Sequence, residues 1–136
     1  MQAAKIHMKT KPSPAPAALA RYLPESPVVA TFTIDVFPER RSDFLAEMEV
    51  AMAQSAREPG VTFFMLLADR DDPNRFTAVD VYRDREAYEL HLVAPQTQKL
   101  VVALDGCLRN PPAGTLHHLL ATKESCLGKP SGSVVY

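Results

Sequence analysis

No apolar run in this chain approaches the ~20 residues that a membrane-spanning helix requires. Nor is there a surplus of one charge: 15 lysines and arginines stand against 16 aspartates and glutamates, for a formal net charge of -1. Without a large basic field, neither nucleic acid nor an anionic membrane is favoured as a partner. Glycine is sparse, with 5 in all, and each stands alone, so no glycine-rich loop is present to cradle a phosphate. The two cysteines, Cys107 and Cys126, are far apart and lack CxxC spacing. Two reduced thiols in a cytoplasmic protein is the plainer reading, with a disulfide as the alternative. His7, His91, Cys107 and Cys126 show no metal-ligand spacing. His117 and His118 are adjacent on a strand and so face opposite ways, which prevents joint chelation. No metal site is expected. The N-terminus is mildly basic but has no continuous apolar stretch, so no secretory signal is read and a cytoplasmic location is expected.

What is present is enough for one domain. The chain has 136 residues, 46% of them apolar and 23% charged, an ordinary globular balance with room for one core. Residues 1–26 differ from the rest: Pro12, Pro14, Pro16 and Pro24 stand among alanines, serines and lysines. Proline fixes φ and removes a donor, so this stretch reads as a flexible arm that pairs poorly as strand. The folded domain is expected over residues 27–122. Residues 123–136, with Gly128, Pro130 and Gly132, read as a second tail.

Between the arms the periodicity is regular. Over residues 28–36, Val28, Ala30, Phe32, Ile34 and Val36 share one side and Val29, Thr31, Thr33 and Asp35 the other, a strand signature. Pro38-Glu39 suits a helix start. Phe44, Leu45, Met48, Ala51, Met52 and Ser55 then recur at helical spacing until Pro59-Gly60 stops the run. Residues 61–68 and 76–82 read as a hairpin around the turn formers Asp69 to Asn74. Asp84 is a plausible N-cap for a helix through Ala87, Tyr88 and His91. Pro95 starts a further helical piece ending near Gly106, Pro111-Pro112 breaks the chain, and residues 115–121 form the last strand. The order βαββαβ is the ferredoxin-like α+β unit: an antiparallel sheet with helices on one face. Its other face carries Val29, Val79 and Val81, which a second copy would cover, giving a homodimer built as an α+β barrel.

Four strings carry a family resemblance. They are Val36-Phe37-Pro38-Glu39-Arg40-Arg41-Ser42-Asp43-Phe44, Arg57-Glu58-Pro59-Gly60, Asp71-Asp72-Pro73-Asn74-Arg75-Phe76, and Tyr82-Arg83-Asp84-Arg85-Glu86-Ala87-Tyr88-Glu89-Leu90-His91-Leu92. In this order they resemble the strand-to-helix entry, helix exit, hairpin turn, and third strand with its following helix of the antibiotic biosynthesis monooxygenase family. The resemblance implies a dimeric α+β barrel with a small-molecule pocket between sheet and helices in each subunit. It also implies oxidation of quinol- or anthrone-like aromatics by O₂ without metal, flavin or haem, so no cofactor is expected. Other members of the family are isomerases acting on small carbonyl compounds, and a related branch degrades haem.

On this resemblance His91 stands where the family often keeps a histidine, and an imidazole suits enolisation or phenol deprotonation. The plainer reading is a histidine packed under its helix and bonded to a carboxylate. Asp80 stands where relatives usually have glutamate. It would orient His91 or a pocket water, or else bridge to an arginine as a structural pin. Tyr82 stands where many relatives have tryptophan, as a donor to a substrate oxygen or as packing. Phe32, Phe44, Met48, Phe76 and Ala78 are expected on the helix-facing side as core or pocket wall. The haem-degrading branch relies on a strand-one asparagine, a strand-three tryptophan and a later helical histidine. This chain has no tryptophan, its asparagines are Asn74 and Asn110, and the helix from Pro95 has no histidine, so haem degradation is disfavoured. The expected function is therefore a cofactor-independent monooxygenase of a small quinol- or anthrone-like aromatic. A small-molecule isomerase using the same pocket and a non-catalytic ligand-binding dimer are the alternatives.

Overall fold

Alternation along residues 28–36 builds the centre of the sheet. A computed structural model of the chain describes residues 7–9 and 27–127. Its strands are β1 (His7–Lys9), β2 (Val28–Asp35), β3 (Val61–Ala68), β4 (Arg75–Tyr82) and β5 (Ala113–His118). Its helices are α1 (Arg41–Ser55), α2 (Arg85–Val93), α3 (Pro95–Ala103) and the single turn α4 (Lys123–Cys126). The sheet order is β1-β5-β2-β4-β3, and β5, β2, β4 and β3 run antiparallel. From β2 to β5 the order is the βαββαβ unit, with its second helical region split at Ala94-Pro95.

The local chemistry matches these boundaries. Pro38 sits in a 3-10 turn, Pro38–Arg40, that leads into α1. Asp84 caps α2: its side chain accepts a 2.8 Å hydrogen bond from the Ala87 N–H. In the hairpin, Asp69 accepts from the N–H groups of Asp71 and Asp72, the expected behaviour of an aspartate at a turn. The residues of one parity on β2 form the inner face. Ala30 and Ile34, with Val36 just beyond the strand, are buried on that side; Ile34 and Val36 pack with Phe44 and Met48 of α1, and Ala30 packs with Tyr82 and Tyr88. Two apolar clusters result, one around Phe44 and Phe76 and the other around Ala30, Tyr82 and Tyr88, and Phe32 packs against both.

Several expectations need correction. Residues 1–26 were given no strand, yet His7–Lys9 pairs in parallel with β5, His7 opposite Ala113 and Lys9 opposite Thr115. These three residues precede Pro12, so each still has its N–H for the ladder. The rest of the proposed arm lies outside the described residues. The tail expected from residue 123 begins with α4, which Thr122 and Ser125 hold in a reciprocal capping box; residues 128–136 lie outside the described residues. The last strand starts at Ala113, directly after the proline pair, and ends three residues before the expected 121. On the outer sheet face, Val81 is buried, at 7% exposure, because Val29 and Phe63 flank it in register. The exposed apolar surface falls instead on β3, at Phe63, Met65 and Leu67.

Asp84→Ala is expected to destabilise the fold by about 1 kcal/mol in urea unfolding. The Ala87 N–H, and after it Arg83, hold the Asp84 carboxyl below its ordinary range. A depressed acid contributes stability above its unfolded pKa and loses it as pH falls through the lowered folded value. Wild type and variant should therefore converge in strong acid. Phe44→Ala, at a fully buried position, should cost about 3–5 kcal/mol in the same assay.

Candidate active site

A cavity of about 120 Å³ opens beneath the inner face of the sheet, between β2, β3 and β4 on one side and α1 and α3 on the other. Its wall is mostly apolar: Phe32, Met48, Phe64, Leu66 and Ala78, closed by Leu100 of α3 and by Leu104 just after it. Its polar side chains are Asp80, Tyr82, His91, Thr97 and Ser55. An apolar chamber with a few convergent polar groups is the usual form of a small-molecule site.

Strand parity brings Asp80 and Tyr82 onto the inner face together. The Tyr82 hydroxyl donates to Asp80 Oδ2 at 3.2 Å. Burial pushes the Asp80 carboxyl up from its ordinary value of 3.8, against the opposing effects of His91 and the Tyr82 hydroxyl. Burial, reinforced by the neighbouring Asp80, also drives the Tyr82 phenol far above its ordinary range, so Tyr82 stays a neutral donor. His91 comes in from α2, with its ring 5.3 Å from that of Tyr82. Its Nδ1 lies 2.8 Å from Glu58 Oε2, and its Nε2 lies 3.4 Å from Thr97 Oγ1.

The expected site residues therefore separate. His91, Asp80 and Tyr82 meet in one place, and Phe32, Met48 and Ala78 line the cavity with them. Phe44 and Phe76 do not. Their rings pack on each other at 4.7 Å, and the pair is core, buried behind the cavity wall. Asp80 is expected to orient His91 or a pocket water, or to bridge to an arginine; its hydrogen bond is to Tyr82, and the carboxylate bonded to His91 is Glu58. A carboxylate partner for His91 was foreseen in kind, but Glu58 appeared in the sequence only as part of a helix exit. Thr97 was also missed. It lies in the first turn of α3, and its only signal was a polar residue just after the Pro95 start. Among the described residues, no three His, Cys, Asp or Glu side chains gather closely enough to hold a metal ion. No described helix is long and apolar enough to cross a membrane.

The raised Asp80 gives a test of burial. A carboxyl whose folded pKa is raised has its stability fully present below the unfolded value and loses it as pH rises through the folded one. Asp80→Asn keeps an acceptor for Tyr82 and has no charge to bury. Urea unfolding should find it more stable than wild type at neutral pH, with the gap closing below 3.8. A variant less stable at neutral pH would contradict the burial argument.

Residues 27–103 match the sequence model of the antibiotic biosynthesis monooxygenase family. Over 99 residues the chain is 25% identical to sll1783 of Synechocystis, an uncharacterized protein, covering 73% of this chain and 67% of that one. SnoaB of Streptomyces nogalater, a cofactor-independent oxygenase, aligns with a TM-score of 0.65 and 22% identity over 72% of this chain and 97% of its own. Rv0793 of Mycobacterium tuberculosis aligns with a TM-score of 0.68 and 22% identity over 72% of this chain and 99% of its own. These two structures speak for the fold, while the sequence match spans more than half of the chain, which belongs to the antibiotic biosynthesis monooxygenase family.

Proposed function

We propose that the protein is a cofactor-independent oxygenase acting on a small, electron-rich phenolic aromatic such as a quinol. The observation that carries the reading is the meeting of His91, Tyr82 and Asp80 at one apolar cavity. Its volume, about 120 Å³, is close to that of engineered cavities of ~150 Å³ that take benzene. A single ring fits that scale. A fused anthrone needs more room, which rotation of the flexible Met48 and Met52 side chains in the wall would provide.

The reaction balances without an external reductant. His91 removes a proton from the bound phenol, and the resulting anion donates one electron to O₂. The two radicals join through a carbon–oxygen bond, and the resulting peroxide anion takes back the proton held by His91, giving a hydroperoxide. Loss of water from that hydroperoxide, with the remaining hydrogen on the carbon leaving as a proton, yields the carbonyl. In sum, ArH(OH) + O₂ gives the quinone and water. Tyr82, kept protonated, would donate to the oxygen on which the first negative charge develops by turning its hydroxyl from Asp80 Oδ2. Burial raises the Asp80 carboxyl, and whenever that group carries a proton it would offer a second donor beside Tyr82. The apolar wall keeps water from competing for the anion.

The same reading includes a dimer. Phe63, Met65 and Leu67 expose apolar surface on one sheet face, at 41%, 37% and 44%. A second copy laid on that face would remove it from water. Sedimentation at micromolar concentration should give twice the chain mass of 15.0 kDa, and a stable monomer would contradict the barrel.

The test of the chemistry is oxygen consumption by the metal-stripped protein against a panel of quinols and naphthols. His91→Ala should lower the rate by about 10²-fold or more. Uptake that does not depend on His91 would reject the assignment. Turnover of a carbonyl substrate without O₂ would favour an isomerase in the same pocket.

A further inference from the structure

The turn that ends α1 is laid along α2 at two successive points. At the first, Gly60 lies against Ala87 so closely that a Cβ built on Gly60 would overlap the Ala87 Cβ. At the second, four residues further along the same helix face, Glu58 meets His91 at 2.8 Å. The turn is itself pinned. The Glu58 N–H donates to Ser55 O at 3.0 Å, the Val61 N–H to Glu58 O at 3.1 Å, and the Arg83 N–H to Gly60 O at 2.8 Å. The Asp84 cap fixes the start of α2. Glu58 is therefore held in place by backbone contacts that would exist without its side chain.

We propose that Glu58 is a positioning residue that fixes the tautomer of His91, accepting a hydrogen bond from Nδ1–H and leaving the Nε2 lone pair for a substrate proton. The proposal rests on His91 acting as the pocket base. A carboxylate only accepts hydrogen bonds, so in the neutral ring the proton must sit on Nδ1. Nε2 is then an acceptor. Its neighbour, the Thr97 hydroxyl, is at 3.4 Å, long for such a bond, so the lone pair is weakly engaged. His91 and Thr97 line the cavity, whereas Glu58 stands outside its wall. Glu58 thus reaches any substrate only through the imidazole. A plain structural pair at the same distance would hold the same tautomer, so the effect of Glu58 on kcat separates a positioning role from a structural one.

The test needs no substrate. Protein with ¹⁵N-labelled histidine is brought to alkaline pH, where imidazole is neutral, and two-bond nitrogen–carbon-proton correlations report which ring nitrogen holds the proton. His91→Ala identifies the resonances. Wild type should show Nδ1–H at His91. Glu58→Gln, whose amide carbonyl still accepts, should keep it. Glu58→Ala should move the proton to Nε2, where the Thr97 hydroxyl can accept it, with the amide spectrum elsewhere unchanged. Nε2–H in wild type, or an unchanged tautomer in Glu58→Ala, overturns the proposal. With a quinol that supports oxygen uptake, Glu58→Ala should lower kcat by about 10-fold or more with KM nearly unchanged. Glu58→Gln should recover most of that loss, and a loss confined to KM would count against the proposal. Failure of the oxygenase reading looks different: no oxygen uptake in any variant, with the tautomer pattern intact.

Discussion

A carboxyl group on the inward face of a sheet strand has to be paired, neutralised or exposed. Asp80 is caught between these choices. Strand parity turns it under the helices together with Tyr82, and the Tyr82 hydroxyl is its hydrogen-bond donor. Burial raises the carboxyl and burial raises the phenol, so both groups are held towards their protonated forms in an apolar chamber. The rest of the site is arranged around that pair. The Tyr82 ring packs edge-on against Tyr88 and tilts against His91, both from α2, at 5.3 Å each. The position of α2 over the sheet therefore fixes the distance between the imidazole and the Asp80–Tyr82 pair.

The division between core and chamber follows from side-chain size. Phe44 of α1 reaches Phe76 of β4 and fills the space between helix and sheet at one end. Further along, β4 offers only Ala78, and α1 comes down with Met48, Ala51 and Ser55, smaller or more adaptable side chains. The layers cannot close there, and the gap is the cavity. The fold is stabilised at the end where the aromatics meet and left open at the end where the polar groups stand.

Much of this was legible in the sequence. The parity of β2, the Asp84 cap, the aspartate-rich hairpin turn and the proline stops are local signals, each encoded within a few residues. The convergence of Asp80, Tyr82 and His91 was legible only through the resemblance, since periodicity alone gives them a face and not a neighbour. What was missed is non-local. Glu58 and His91 are 33 positions apart, and their meeting depends on Gly60 allowing α2 to come close. Phe44 and Phe76 share the inner face with the true wall residues, and which of them line a cavity is decided by how the helices settle. The β1 pairing was hidden because the proline content of residues 1–26 masks three residues that precede the first proline.

In the proposed reaction the polar end of this cavity takes a proton from a bound aromatic alcohol. The direct measurement is the absorption spectrum of para-nitrophenol bound to the protein under anaerobic conditions, at a pH below the ligand's own pKa. The bound ligand should show the spectrum of the phenolate, with the neutral form returning in His91→Ala. A ligand that saturates the site and keeps the spectrum of the neutral phenol would contradict it.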